Sequence, residues 1–183
     1  MCMEIIELNK KVTKQSRHLV LILALYKGYI TFTGNLIIKD DNRQNLIWKQ
    51  QLLKQVNICS HIIQYNSQYY LITKKYTFIQ LYRKIALKKI TPRLIPKLNL
   101  LDLAILYNDI GQVRFKKQNG KIHALRLNLY TNSLMSINQL LIDYIKEKWQ
   151  IQFFQLKYKK YYYLSCNTKM AKKFLQLIDS IKM

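Results

Sequence analysis

Two stretches of this sequence decide its fold, because each reads as a short apolar helix that ends at a glycine. The second copy is Leu103-Ala104-Ile105-Leu106-Tyr107-Asn108-Asp109-Ile110-Gly111, and the first is Leu21-Ile22-Leu23-Ala24-Leu25-Tyr26-Lys27-Gly28-Tyr29-Ile30. The longest apolar run, from Leu19 to Tyr26, is far below the roughly 20 residues that span a membrane. Both stretches therefore predict short helices in the core of a globular protein.

The segments after each apolar helix predict the same succession of elements. The helix at 15–28 precedes two strands at 29–39, an amphipathic helix at 43–57, a hairpin at 58–74 and a helix at 77–87. The helix at 100–110 precedes a hairpin at 113–130, a helix at 136–149, a hairpin at 151–167 and a helix at 170–181. Turn signals, Asn66-Ser67 and Asn119-Gly120 among them, separate the paired strands.

Matches between the two halves indicate an internal duplication. Tyr69-Tyr70-Leu71 aligns with Tyr162-Tyr163-Leu164, and Gly28 aligns with Gly111. Each half predicts an αββαββα unit of the α+β class, the first at 1–91 and the second at 92–183. One half alone has little core, so we expect the two to pack as a pseudo-dimer.

The charge balance indicates an anionic partner. The 183 residues include 31 Lys and Arg against 9 Asp and Glu, a formal net charge of +22. A compact body with this excess repels itself unless an anion covers it, and the phosphate backbone is the commonest such partner. An anionic membrane surface and a merely solvated basic face are the alternatives. Because half of the residues are hydrophobic and the charge is spread along the whole chain, a disordered basic tail is excluded.

Residue usage indicates a cellular compartment. The abundant Ile, Lys, Asn and Tyr have A/T-rich codons and the scarce Gly and Pro have G/C-rich codons, which is typical of an organelle genome. No Arg-rich transit peptide or secretory signal is recognisable, so we expect an organelle-encoded protein that works in the mitochondrion rather than the plastid.

The three cysteines, Cys2, Cys59 and Cys166, lie too far apart to predict a zinc site or a disulfide framework.

The two apolar helices that end at Gly28 and Gly111, each opening an αββαββα unit, resemble the layout of LAGLIDADG homing endonucleases and intron maturases in their two-motif, single-chain form. The resemblance covers nearly the whole chain. It implies that the two motif helices pack along a pseudo-dyad and that two saddle-shaped antiparallel sheets face the DNA major groove. It also implies that the acid before each glycine binds a divalent metal, the cation that carboxylates prefer, and drives phosphodiester cleavage.

The residues before the two glycines depart from that family's pattern. Lys27 precedes Gly28 and Ile110 precedes Gly111, and neither an ammonium nor an alkyl side chain can ligate a metal. Asp109 is one residue too early, about 100° around the helix. We therefore expect a degenerate nuclease without catalytic residues, metal or cofactor. Lys27 either contacts a phosphate or reaches solvent at a helix end, where its charge suits the helix dipole; for Asp109 we expect a polar contact near the pseudo-dyad.

Apart from Lys27 at the end of the first motif helix, the candidate nucleic-acid-binding residues are assigned to the predicted hairpins. On the first half they are Lys27, Lys39 and Arg43, and on the second half's first hairpin they are Arg114, Lys116, Lys117, Lys121 and Arg126. The last hairpin adds Lys157, Lys159, Lys160, Tyr161 and Tyr163 as a surface for stacking and phosphate contact. Strand alternation alone explains the tyrosines as well, with Tyr162 and Leu164 in the core and their neighbours on the open face. Trp48 and Trp149 are expected in the core.

The preferred functional hypothesis is a protein that binds structured RNA. The partner is either ribosomal RNA, which makes the protein a mitochondrial ribosome component beside other ribosomal proteins, or a group I intron, which makes it a splicing factor. We expect no membrane partner and no obligate homodimer. The alternative is an active homing endonuclease that cleaves double-stranded DNA with unorthodox ligands. A decaying reading frame without function is a third reading, which the regular periodicity disfavours.

Overall fold

The chain forms two compact units, Met1–Lys88 and Lys89–Met183; the sequence predicted the division at 91 and 92. The computed structural model describes residues 13–83, 90–119, 121–159 and 161–182, with the side chains of 118, 121–123 and 182 left out. The predicted helix at 77–87 therefore lies in part outside the described residues. Each unit is considered by itself.

The first unit consists of a four-stranded antiparallel sheet with helices on one face. Its elements are α1 (Lys14–Ala24), β1 (Gly28–Ile30), β2 (Leu36–Asp40), α2 (Arg43–Gln55), β3 (Ser60–Tyr65), β4 (Gln68–Thr73) and α3 (Thr77–Tyr82). The strand order is β1-β2-β4-β3, so β3 forms one edge. Helices α1 and α2 contact β2 and cover one side of sheet 1, and we call the other side its open face.

The second unit repeats this arrangement after a short 3-10 helix, Ile95–Lys97. Its elements are α4 (Leu100–Ile110), β5 (Gly111–Gln118), β6 (Lys121–Leu129), α5 (Met135–Trp149), β7 (Phe154–Tyr158), β8 (Tyr161–Cys166) and α6 (Thr168–Lys182). The strand order of sheet 2 is β5-β6-β8-β7, the same as in sheet 1. The α+β class and the duplicated order of elements, both predicted from the sequence, are confirmed.

Capping residues begin the two motif helices in the same way. Thr13 accepts from the backbone of Ser16 at the start of α1, and Asn99 accepts from Asp102 at the start of α4. In both cases the side chain of the third helical residue accepts a hydrogen bond from the backbone N–H of the capping residue. This reciprocal capping satisfies donors that a helix start leaves free, so both helices begin where the local sequence dictates.

Each motif helix is buried on all sides along part of its length. In α1 the run from Ile22 to Leu25 is buried, and in α4 the run from Asp102 to Leu106 is buried as well. A helix that packs by one stripe alone alternates between buried and exposed positions. The prediction that these two apolar stretches belong to the core is therefore confirmed.

The motif glycines are required by close backbone approach. A Cβ on Gly28 would lie 2.5 Å from the Leu23 carbonyl oxygen and 2.8 Å from the Ala24 Cα. A Cβ on Gly111 would collide with the ring and the carbonyl of Tyr107. Gly111 is the C-cap of α4, as predicted, but the same prediction for Gly28 is wrong: α1 ends at Ala24, Leu25 is its C-cap, and Gly28 begins β1.

Several predicted side-chain positions need correction. The spacing of the helix at 136–149 predicts Leu140, Leu141 and Ile145 on its apolar face. Leu141 and Ile145 are buried together with Ile142, but Leu140 is 48% exposed. Trp48 and Trp149 are half-buried rather than in the core, and Trp149 packs edge-on against Tyr144. Among the described residues, no helix is long and apolar enough to cross a membrane.

Candidate nucleic-acid interface

The open face of sheet 2 carries a concentration of positive charge. In register, Arg114 on β5 lies opposite Arg126 on β6, and Lys116 lies opposite Ala124. Residues opposite each other in an antiparallel pair share a face, so these three cations point to the same side. Strands β5–β8 contain no Asp or Glu. Like charges directly opposite each other destabilise a strand pair, and an anion across this face would remove that cost.

Hydrogen bonds hold Arg114 in place on this face. Its Nη2 donates to the Tyr130 hydroxyl at 2.9 Å and its Nε donates to Gln112 Oε1 at 3.2 Å. The Tyr130 hydroxyl in turn donates to the same Gln112 oxygen at 2.9 Å. The Tyr130 ring lies 5.4 Å from the Tyr163 ring, which supports it from β8. The guanidinium is thereby pre-oriented, which lowers the conformational entropy lost when it binds a ligand.

A buried polar pair lies under the middle of this face. Ser165 donates to Asn128 Oδ1 at 2.8 Å, and both side chains are buried. Phe154 stands opposite Ser165, and the Arg126 guanidinium lies 6.0 Å from the Phe154 ring. Each side chain provides a hydrogen-bond partner for the other, so the buried polar atoms beneath the basic face are held in a fixed arrangement.

The remaining predicted residues of the second half are distributed over other surfaces. Tyr161 and Tyr163 lie on the open face, with Leu164 buried on the helix side, as strand alternation predicted, but Tyr162, predicted in the core, is half-buried. Lys117 and Lys157 are strand residues that face the helix side, Lys157 with its ammonium 5.8 Å from the Tyr162 ring. Lys159 lies in the turn between β7 and β8, 5.7 Å from the Tyr158 ring. Lys160 and the side chain of Lys121 lie outside the described residues.

On sheet 1, two cations were predicted to lie on strands, and the structure agrees with that prediction for one of them. Lys39 lies on the open face, opposite Tyr70 of β4. The assignment of Arg43 to a hairpin is wrong, because the side chain of Asn42 caps α2 and Arg43 is its first helical residue. The strands of sheet 1 therefore contain a single Lys, and their open face is far less basic than that of sheet 2.

Lys27, the residue at the first motif's acid position, is bound within the first unit. Its ammonium donates to Asp40 Oδ2 at 2.8 Å, with the Lys27 side chain 31% exposed and the Asp40 side chain 4% exposed. The neighbouring residue Asn42 also donates its backbone N–H to Asp40, at 3.0 Å. Lys49 of α2, a completely buried lysine, contributes its positive charge to the same carboxylate.

The surroundings keep Asp40 ionised. Burial by itself raises the pKa of this carboxyl, but the hydrogen bonds from Lys27 and Asn42 and the charges of Lys27 and Lys49 outweigh it and lower the pKa below the ordinary value. The result is a buried ionic cluster, Lys27–Asp40–Lys49. No motif in the sequence predicts this cluster, although Asp40 continues the core alternation of Leu36 and Ile38.

The residues at the two motif ends do not fit a metal ion. Lys27 presents an ammonium that is paired with a carboxylate, and Ile110 presents an alkyl chain. Metal ligands of the Mg²⁺ type are oxygen atoms, and a cation at this position repels a second one. Within the ranges that the structure describes, no group of three or more His, Cys, Asp or Glu side chains could hold a metal.

The repeated αββαββα units, each opened by an apolar motif helix, have the LAGLIDADG fold, which solved structures share. The homing endonuclease I-WcaI bound to its DNA recognition sequence superposes with a TM-score of 0.69 at 14% identity, over 95% of this chain and 86% of that one. Variants of the homing endonuclease I-DmoI give 0.56 at 14% identity, over 92% and 98%. The N-terminal LAGLIDADG domain of WhiA gives 0.52 at 14% identity, over 93% and 85%.

These similarities confirm the resemblance that the motif stretches predicted, and at such identities they establish the fold. No protein-family model and no curated protein matches the sequence. The function must therefore be argued from the residues of this chain.

Proposed function

We propose that this protein is a LAGLIDADG-fold protein that binds structured RNA and does not cleave it. The observation that carries the proposal is the cross-strand pair Arg114–Arg126 beside Lys116 on the open face of sheet 2. Three cations on one acid-free sheet match a phosphate backbone, and Arg114 is already oriented by Gln112 and Tyr130. Such contacts position a nucleic acid without reading its sequence.

The absence of cleavage follows from the chemistry at the two motif ends. In place of a carboxylate, Lys27 carries a positive charge that Asp40 neutralises at 2.8 Å. Ile110 offers no oxygen at the second end. A protein that keeps the fold and the basic surface without metal-binding groups can hold phosphates but cannot stabilise an attacking and a leaving oxygen through metals.

A permanent RNA partner in the mitochondrion accounts for the remaining features. The net charge of +22 is spread over both units, which suits a protein embedded among phosphates better than one that uses a single groove. On this basis we propose that the protein is a component of the mitochondrial ribosome. The alternative RNA partner is a group I intron, which the protein would bind as a splicing factor. Double-stranded DNA is the competing ligand, since I-WcaI and I-DmoI have been solved with DNA.

The basic face can be tested by a charge-matched pair of variants. The first replaces Arg114, Lys116 and Arg126 by alanine, and the control replaces Lys146, Lys148 and Lys172, which are exposed on α5 and α6. Affinity for a structured RNA is measured as a function of salt concentration. Loss of three phosphate contacts should reduce the magnitude of the slope of log K against log salt by roughly 2 to 3.

The control variant should change that slope far less, although it removes the same net charge. Equal effects from both variants would contradict the assignment of the face. The same preparations are incubated with long double-stranded DNA and Mg²⁺, and site-specific cleavage by the wild type would overturn the proposal in favour of an endonuclease.

The identity of the RNA is best found by purifying the protein from its native organelle at low salt and sequencing the nucleic acid that accompanies it. Ribosomal RNA with co-sedimentation on the ribosome would identify a structural component of that particle. Enrichment of one intron would identify a splicing factor. Recovery of a defined DNA site without RNA would refute RNA binding.

A further inference from the structure

Large apolar side chains lie on the open faces at equivalent places on the outer strands of both sheets. In sheet 1, Ile63 of β3 lies opposite Tyr70 of β4, with Tyr65 two residues further along β3. In sheet 2, Leu156 of β7 lies opposite Tyr163 of β8, with Tyr158 two residues further along β7. We call these two sets of three residues the aromatic strips.

The strips lie on the open faces, away from the helices, with Tyr70, Leu156 and Tyr163 half-buried and the other three residues exposed. Tyr65 is 65% exposed and Tyr158 is 64% exposed, and Ile63 is exposed as well. Leu71 and Leu164, the neighbours of Tyr70 and Tyr163 on the helix side, are completely buried. An exposed apolar patch on an edge strand marks a surface that binds a partner, because such an edge otherwise invites aggregation.

Each strip stands next to a positive charge. Lys39 lies opposite Tyr70 on the side away from Ile63, so one row across sheet 1 reads lysine, tyrosine, isoleucine. In sheet 2 the Lys159 ammonium lies 5.7 Å from the centre of the Tyr158 ring. Aromatic rings beside cations form the combination that binds single-stranded nucleic acid, with bases stacked on the rings and phosphates on the cations.

The pattern disfavours a duplex as the ligand of these strips. Base pairs in a groove present edges that are read by hydrogen-bond donors and acceptors, whereas Ile63 and Leu156 offer none. The faces of bases are accessible only where they are unpaired, in loops, bulges and ends. Four-stranded sheets with exposed aromatic side chains are an established means of stacking unpaired RNA bases.

We propose that the two aromatic strips bind the unpaired bases of RNA loops, while the basic face of sheet 2 holds the backbone of the same RNA. This inference rests on the proposed function and adds the ligand class and a second binding surface, on the first unit. An apolar protein partner is the competing occupant, and the cations beside the two strips, Lys39 in sheet 1 and Lys159 in sheet 2, favour the nucleic acid.

The test compares two synthetic RNAs that share one stem. The first ends in a long single-stranded loop that contains a fluorescent purine analogue, and the second is a blunt duplex. Binding is measured for Tyr65→Leu, Tyr158→Leu, the conservative variants Tyr65→Phe and Tyr158→Phe, and Phe115→Leu. Phe115 is the matched control, because it is 54% exposed but lies on the helix side of β5.

Each leucine variant should weaken binding of the loop RNA by about 5- to 150-fold, the range for loss of one stacked base. Binding of the blunt duplex should not change, the phenylalanine variants and Phe115→Leu should bind like the wild type, and the purine fluorescence should be quenched on binding. Loop affinity unaffected in both leucine variants would overturn this inference and leave the proposed function standing.

Two further outcomes would also overturn the inference. If the wild type binds neither RNA, the proposed function fails, and the inference fails with it. If the leucine variants release a co-purifying protein from the native complex while their affinity for loop RNA stays unchanged, the strips are a protein-binding surface and the inference is wrong.

Discussion

Replacing Asp40 by asparagine removes the carboxylate that the charges of Lys27 and Lys49 both face. The Asp40 side chain is 4% exposed and Lys49 is completely buried, so water can replace the lost anion at Lys27, which is 31% exposed, but not at Lys49. Removing one partner of a buried ion pair costs about 3 to 5 kcal/mol, because the remaining charge is left uncompensated. The new amide oxygen can still accept from Lys27, so we expect a loss of about 3 kcal/mol, at the lower end of that range.

The measurement is urea unfolding followed by circular dichroism. With an m-value of about 2 to 3 kcal/mol per molar, the midpoint of Asp40→Asn should fall by about 1 M or more. Asp41→Asn is the matched control: the side chain is adjacent and exposed, and its replacement should change stability by less than about 0.5 kcal/mol. Equal midpoints for the two variants would refute the view that Asp40 compensates buried charge.

A second substitution separates lost charge compensation from lost packing. Lys49→Met replaces the buried ammonium by an apolar chain of similar length, which is often close to neutral when a buried charge is removed. Asp40 keeps Lys27 and the Asn42 backbone in that variant. In the Asp40→Asn background, Lys49→Met should therefore restore part of the lost stability, and a double variant less stable than Asp40→Asn alone would contradict the reasoning.

The pH dependence has a defined sign. Because the pKa of Asp40 is lowered in the folded state, the carboxylate contributes stability that is fully present above the ordinary aspartate pKa and is lost as the pH falls through the lowered value. The wild type should therefore lose stability in acid more steeply than Asp40→Asn does. Parallel acid unfolding of the two proteins would speak against a stabilising role for the ionised form.

Two other predictions concern buried groups of the second unit. Ser165→Ala should destabilise the protein by about 1 to 3 kcal/mol in urea unfolding, because it leaves the buried Asn128 oxygen without its donor; a neutral result would show that the pair is dispensable. In a Cys2→Ser variant, a thiol reagent at pH 8 should label the exposed Cys59 quickly. Cys166 should be labelled only on unfolding, since burial raises the pKa of its thiol to about 12; rapid labelling of both would contradict its burial.

Local patterns predicted most of the architecture correctly. The turn at Asn66 and Ser67 has positive φ values of 46° and 60°, as expected for a tight hairpin between β3 and β4. Asn119, in the first hairpin of the second half, also has a positive φ, 50°. Such turns depend on the conformational freedom of a few neighbouring residues, so the sequence alone is enough to place them.

Predictions that depended on distant contacts were less successful. Leu140 fits the apolar spacing of its helix, but it is exposed while Leu141, Ile142 and Ile145 are buried. Lys157 and Lys159 follow one another along the last hairpin with one residue between them, yet one faces the helix side and the other lies in a turn. Spacing along the chain does not reveal which surface an exposed cation shares with another.

By itself, the sequence determined that the chain is strongly basic, is duplicated and consists of two αββαββα units opened by apolar helices, because periodicity, turn residues and net charge are local or additive properties. The tertiary structure alone decided which charges compensate each other and which rings share a face. Lys27 and Asp40 are 13 residues apart and meet only when β2 folds back beside the end of α1. Arg114 and Arg126 become neighbours only through the register of β5 and β6. Strand pairing and burial are non-local, and for that reason the ionic cluster and the basic face emerge only in the folded molecule.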